Sequence, residues 1–355
     1  MNGSTRERRH ALWAVAILLG GAAGAGACKA RGERDAIAVI PKATYGEFWK
    51  AVHAGAARAS SELGAKIVWK GPLKEDDRDG QIQMVENFAN LGVRGIVLAP
   101  LDETALTPPV EAATARGIPV VVIDSDLKGG RPVSFVATDN REAGRQAALH
   151  LAKLIGGKGD VAVLRYQVGS ASTANREQGF LDAIAASAPG IRVVSANQYA
   201  GPTTETAVQA SENMLAARRG AAAGAGPGID GVFCPNESST FGMLLALRQA
   251  GLAGKIRFVG FDSSSRLIEA VDRGEIDALV LQDPVGLDHG EGVHPQPHRG
   301  LPHAREAVPG PPVAVREERA ELPLDLRVER DRAVQVDPEG EDHRFTSFFS
   351  FEVSA

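Results

Sequence analysis

From Ala36 onward, short runs rich in β-branched residues alternate with stretches whose apolar residues recur every three or four positions. Strands that alternate with helices in this way pair in parallel and need helices on both faces, so the pattern constrains the chain to a doubly wound α/β sheet. The expected strands are 36–40, 66–69, 95–99, 119–124 and 134–137, with helices over 47–63, 80–91 and 103–116. After Asp139 the rhythm restarts, with helices over 141–155, 175–186, 204–218, 239–250 and 264–272. Strands are expected over 160–164, 192–195, 231–234, 257–260 and 278–281. The fold class is therefore α/β: two doubly wound parallel-sheet lobes, 36–138 and 139–284, joined by a hinge. The Gly/Ala-rich stretch Gly220 to Gly228 reads as a surface loop. Its glycines precede a strand and not a helix, which excludes a dinucleotide fingerprint.

With 355 residues, 44% of them apolar and 23% charged, the chain can fill two cores. The net charge is −5 and no dense Lys/Arg run occurs, so DNA and RNA are excluded as partners. The two cysteines, Cys28 and Cys234, lie too far apart in role and sequence to form a disulfide framework.

The two ends depart from the α/β rhythm. Arg6, Arg8 and Arg9 precede an uncharged Ala/Leu/Val/Gly stretch that ends at Ala25-Gly-Ala-Cys28, so residues 1–28 read as a signal peptide. The small residues before Cys28 resemble a lipoprotein processing site, which makes Cys28 the expected lipid-bearing residue. The expected location is the periplasm or cell envelope, tethered to a membrane by that anchor; a plain secretory signal is the alternative. At the other end, residues 285–355 hold five of the eight histidines and eight of the twenty prolines. A frameshift near Val285 to Gly290, or a disordered extension, accounts for such a Pro/His/Arg-rich tail. Its irregularly spaced histidines do not make a metal site.

No phosphate-binding loop, zinc-protease motif, paired Cys-x-x-Cys or nucleophile elbow occurs, so nothing points to an enzyme, a cofactor or a metal. In open parallel sheets ligands sit outside the carboxyl ends of the strands. Those ends deliver Pro41-Lys-Ala-Thr-Tyr-Gly-Glu-Phe-Trp49, Asp124, Ala137-Thr-Asp-Asn140, Ala174-Asn-Arg-Glu-Gln-Gly-Phe180, Phe233-Cys-Pro-Asn-Glu237, Val259-Gly-Phe-Asp-Ser263 and Leu281-Gln-Asp-Pro284. In this order the motifs resemble the periplasmic sugar-binding proteins of ABC transporters, the ribose-binding type of the type I periplasmic binding protein family.

That resemblance implies a protein that captures a monosaccharide or similar small polyol between two closing lobes and delivers it to an ABC permease. A sensory receptor feeding a chemotaxis or histidine-kinase partner is the alternative. It places Phe48 and Trp49 at ring-sandwiching positions and Asp124 at a first-lobe carboxylate. Asn236, Asp262 and Gln282 fall at second-lobe hydrogen-bonding positions, and Arg176 at a basic position for which Ala174 or Asn175 are alternatives. Ser125 stands where a frequent family pattern has Arg. The residue types suit the ligand class, because sugar rings pack C–H faces on aromatic rings while their hydroxyls need planar polar partners. Other roles stay open from the residues alone: Phe48 and Trp49 as core, Asp124 and Asp262 as helix caps, Asn236 as a turn residue, and Arg176 as an exposed helix cation.

Overall fold

The computed structural model describes residues 34–221 and 228–282. The expected lipidated Cys28 and the tail from 285 lie outside the described residues, as does most of the Gly/Ala-rich loop. The first lobe runs β1 (Ile37–Ile40), α1 (Glu47–Leu63), β2 (Ile67–Trp69), α2 (Arg78–Leu91), β3 (Gly95–Leu98), α3 (Thr107–Ala115), β4 (Val120–Ile123) and β5 (Ser134–Val136). The second runs α4 (Asn140–Leu154), β6 (Lys158–Arg165), α5 (Ala171–Ser187), β7 (Gly190–Tyr199) and α6 (Thr204–Ala221). It continues with β8 (Gly231–Phe233), α7 (Glu237–Gln249), β9 (Arg257–Phe261), α8 (Ser265–Asp272) and β10 (Ala278–Val280).

All strand pairs are parallel. The first sheet has the order β2-β1-β3-β4-β5, and the second, read from its β7 edge, β7-β6-β8-β9-β10. The two orders are the same, so the lobes repeat one topology. The second sheet is sealed on both sides, as a parallel sheet usually is: Ala162, Val232 and Phe258 are buried on one face, Val163, Phe233 and Val259 on the other. The first sheet is covered unequally by the described residues. Ala38, Ile40, Ile96, Leu98, Val120 and Val122 are buried on one face, whereas on the opposite face Val39 is buried but Ile37, Val97, Val121 and Ile123 stay half-buried.

Element limits differ from expectation where local chemistry intervenes. Helix α3 begins at Thr107 and not at Glu103, because Pro108 and Pro109 lack N–H groups and fit only a first turn. The preceding residues instead turn on Asp102, whose Oδ1 accepts from the N–H groups of Thr104 and Ala105. Helix α5 begins at Ala171, four residues before the expected start. Helix α6 continues through Gly220 and Ala221, which the sequence places in a loop. Helix α7 begins at Glu237 because Asn236 caps it in a reciprocal box with Ser239.

Helices α4 and α5 cross through glycine. A Cβ at Gly144 would lie 1.9 Å from the carbonyl oxygen of Arg176, and one at Gly179 would lie 2.0 Å from that of Arg141. Glycine costs a helix interior about 1 kcal/mol relative to alanine, and here it permits backbone-to-backbone approach.

Candidate functional site

The carboxyl ends of both sheets face one cleft of about 460 Å³ between the lobes. Phe48, Trp49, Asp124, Arg176, Asn236, Asp262 and Gln282 all line it. Ala174 and Asn175 are exposed and do not.

The two aspartates occupy equivalent places. Each follows the fourth strand of its lobe, each has positive φ (62° at Asp124, 70° at Asp262), and each donates its N–H to the fifth strand, at Val136 O and Val280 O. Aspartate tolerates this left-handed conformation better than most residues. Their surroundings differ. Asp262 accepts twice within its lobe, from Gln282 Nε2 at 2.7 Å and from the Glu237 N–H at 3.0 Å. It thereby caps α7, a neighbouring helix and not the following one. Burial raises its pKa to about 6, with Arg176 pulling the other way. Asp124 is ion-paired with Lys42, whose Nζ lies 2.7 Å from its Oδ2. Ser264 Oγ, also at the cleft, is a buried hydroxyl without a hydrogen-bond partner among the described residues.

Arg176 is 2% exposed, so it is no surface cation. Its Nε donates to Asn140 Oδ1 at 2.7 Å, Nη1 to Pro235 O at 2.9 Å and Nη2 to Gln282 Oε1 at 2.7 Å, and the guanidinium lies 3.9 Å from the Phe261 ring centroid. Gln282 also accepts from Thr138 Oγ1 at 3.3 Å, so the two chain crossings between the lobes touch at this amide. Arg176, Gln282 and Asp262 form one part-buried relay of alternating donors and acceptors.

On the first lobe, Trp49 is 5% exposed and meets Phe48 edge to face at 5.0 Å. Trp49 packs with Ala43 and Ala99 in a small cluster, so the pair serves both a local core and the cleft wall. The Trp49 Nε1–H donates to Glu75 Oε1 at 2.9 Å, and the hydroxyl of Tyr166, from the opposite lobe, donates to Glu75 Oε2 at 2.8 Å. Burial and the Glu75 carboxylate raise the Tyr166 pKa well above the usual value, which keeps the hydroxyl a donor.

Sequence reasoning did not nominate Lys42, Glu75, Tyr166, Ser172 or Ser264, all at the cleft. Lys42 carried a usable signal, since it stands beside a strand end within the Pro41–Trp49 motif. Glu75 belongs to an ordinary charged loop and carried none. Among the described residues no group of His, Cys, Asp and Glu is arranged to hold a metal ion. Cys234 is a buried free thiol whose pKa burial raises well above normal.

Glu177, next to Arg176, is buried and accepts from the Tyr166 N–H at 2.9 Å, and its pKa is raised to about 7, chiefly by burial. A raised carboxylate pKa means that the fold holds the proton more tightly than the unfolded chain does. Its stabilising contribution is complete below about pH 4.5 and is lost as pH rises through about 7. Glu177→Gln keeps the acceptor for Tyr166 and is expected to be more stable than the parent at pH 8 by about 3 kcal/mol, with the gain falling below about 1 kcal/mol at pH 5. Denaturant midpoints at the two pH values measure this; equal differences at both would refute the assignment.

The sequence matches the periplasmic binding protein domain family over residues 37–288. It is 29% identical over 258 residues to the D-allose-binding periplasmic protein of Escherichia coli (strain K12), covering 70% of this chain and 80% of that one. It is 30% identical over 263 residues to the D-ribose/D-allose-binding protein of Pseudomonas aeruginosa, covering 70% and 77%. The fold superposes with a TM-score of 0.65 on an ABC transporter solute-binding protein from Agrobacterium vitis with bound D-fucose, at 36% identity, covering 71% of this chain and 85% of that structure. With the twin parallel sheets and the polar cleft between them, the matched span establishes that this chain belongs to the periplasmic binding protein domain family.

Proposed function

We propose that the protein is the sugar-capturing component of an ABC transporter: a monosaccharide binds in the cleft, both lobes contact it, and the closed form delivers it to a membrane permease. The observation that carries this reading is an aromatic wall, Phe48 and Trp49, facing polar groups of both lobes that include the buried Lys42–Asp124 ion pair and a buried hydroxyl with no hydrogen-bond partner among the described residues, Ser264 Oγ. A buried polar group without a partner costs about 1–3 kcal/mol, which a ligand hydroxyl recovers. The relatives named for D-allose, D-ribose and xylitol, and the structure holding D-fucose, support a monosaccharide or similar small polyol as the ligand class.

In this reading the ring packs on Phe48 and Trp49, and Asp124 with Lys42 takes hydroxyls on the first lobe. Arg176, Asn236, Asp262 and Gln282 serve the second lobe.

The test is a thermal-shift screen against D-allose, D-ribose, D-fucose and D-arabinose. A bound sugar at a hundred times its Kd adds about 2.7 kcal/mol of stability, or roughly 5–10 °C. Silence across the panel would overturn the reading. For the sugar that binds, Trp49→Ala is expected to weaken affinity by about 1–3 kcal/mol with the fold retained.

The same reading places the protein outside the cytoplasm, held to a membrane through Cys28. No helix among the described residues is long and apolar enough to cross a membrane, and a lipid on Cys28 supplies the tether. Cys28→Ala is expected to move the protein from the membrane fraction to the soluble fraction; an unchanged distribution removes the anchor.

A further inference from the structure

Helix α5 enters the cleft without a cap of its own. Its N-cap residue, Ser170, makes no capping hydrogen bond from its side chain. The Ser172 N–H, the amide that an N-cap side chain ordinarily serves, donates instead to Ser125 Oγ at 3.1 Å. Ser125 belongs to the other lobe. It follows a tight turn in which its own N–H donates to Ile123 O at 2.6 Å around Asp124 at φ 62°, and this turn aims the hydroxyl across the cleft.

The junction is dry: Ser125, Ser170 and Ser172 are each at most 2% exposed. Two further contacts cross between the lobes beside it. Lys42 Nζ donates to Ser172 Oγ at 3.1 Å, and the Glu103 N–H donates to Gly169 O at 2.8 Å. When the lobes part, the first amides of α5 lose this partner to water, because a helix start carries N–H groups that its own backbone cannot satisfy.

We propose that Ser125 is a positioning residue that caps α5 across the cleft. The two lobes then populate the closed arrangement before ligand arrives, and Arg176, on the same helix, stands already oriented. A protein so biased gives up less of its binding free energy to closure. The inference rests on the cleft being the ligand site only for that last consequence, and the cap itself is measured without ligand.

The experiment is amide hydrogen exchange at Ser172 in the ligand-free full chain, with small-angle scattering of the same samples. In the parent protein the amide is expected to be protected. In Ser125→Ala its exchange is expected to accelerate about fivefold, which corresponds to about 1 kcal/mol at 1.4 kcal/mol per tenfold, and the radius of gyration is expected to rise. Exchange at Val232, inside the second-lobe core, should not change, because the contact lies between lobes. Ser125→Thr, which keeps the hydroxyl, should restore protection. An unprotected Ser172 amide in the parent, equal exchange in parent and Ser125→Ala, or acceleration at Val232 by the same factor would each overturn the proposal. A failed sugar screen with a protected Ser172 amide would remove the ligand reading and leave the cap standing.

Discussion

Arg176→Ala is expected to reduce affinity for the captured sugar at least a hundredfold and to lower stability by about 3 kcal/mol. The guanidinium serves three acceptors, Asn140 Oδ1, Pro235 O and Gln282 Oε1, and its removal leaves all three without this donor. It also takes from Asp262 the cation that opposes the effect of burial on that carboxylate. Breaking one side of a buried charged network costs about 3–5 kcal/mol, because the remaining charge keeps its desolvation penalty. Arg176→Lys should recover little of the affinity, since an ammonium cannot reproduce a planar fork reaching three separate acceptors. Calorimetric titration and urea unfolding measure the two effects. A Kd within threefold of the parent would show that the relay through Gln282 is structural only.

A second large effect is expected far from any ligand atom. Gly144→Ala places a methyl group where the Arg176 carbonyl oxygen now lies, 1.9 Å from the ideal Cβ position. Backbone atoms of two packed helices cannot yield as a flexible side chain does, so α4 and α5 must separate. Overpacking costs about 1–3 kcal/mol, and a clash with backbone belongs at the upper end. Against the better intrinsic helix propensity of alanine, a net loss of roughly 2 kcal/mol remains, or about 4–8 °C in Tm. Because Arg176 sits at the contact itself and reaches across to Asn140 on α4, sugar affinity should fall by more than tenfold in the same variant. An undiminished Tm would mean that the helices do not approach as closely as described.

The same crossing shows where sequence reading stops. Glycine inside two helical stretches reads as a weakness of each helix, and nothing local pairs Gly144 with Arg176 or Gly179 with Arg141. The seven residues that the family resemblance nominated all line the cleft because a parallel sheet delivers its strand ends to one edge, so short polar motifs after strands converge there. Arg176 illustrates the boundary. Its presence after β6 was readable, but whether it was an exposed cation or a buried one depended on α5 beginning at Ala171 and packing against α4.

What the sequence alone determined is the repeated α/β rhythm, the two-lobed class and the chemical character of the cleft, all of which follow from hydrophobic periodicity and from residue types at strand ends. The tertiary structure decided the pairings. Lys42 reaches Ser172 across 130 residues, Tyr166 reaches Glu75 across 91, and Ser172 finds its cap on Ser125 across 47. It also made unlike groups of two aspartates in equivalent positions, Asp262 satisfied within its lobe and Asp124 left facing the cleft. Periodicity reports which way a side chain faces over a few residues; which partner waits there is set by how separate elements pack, and that packing is a property of the whole core.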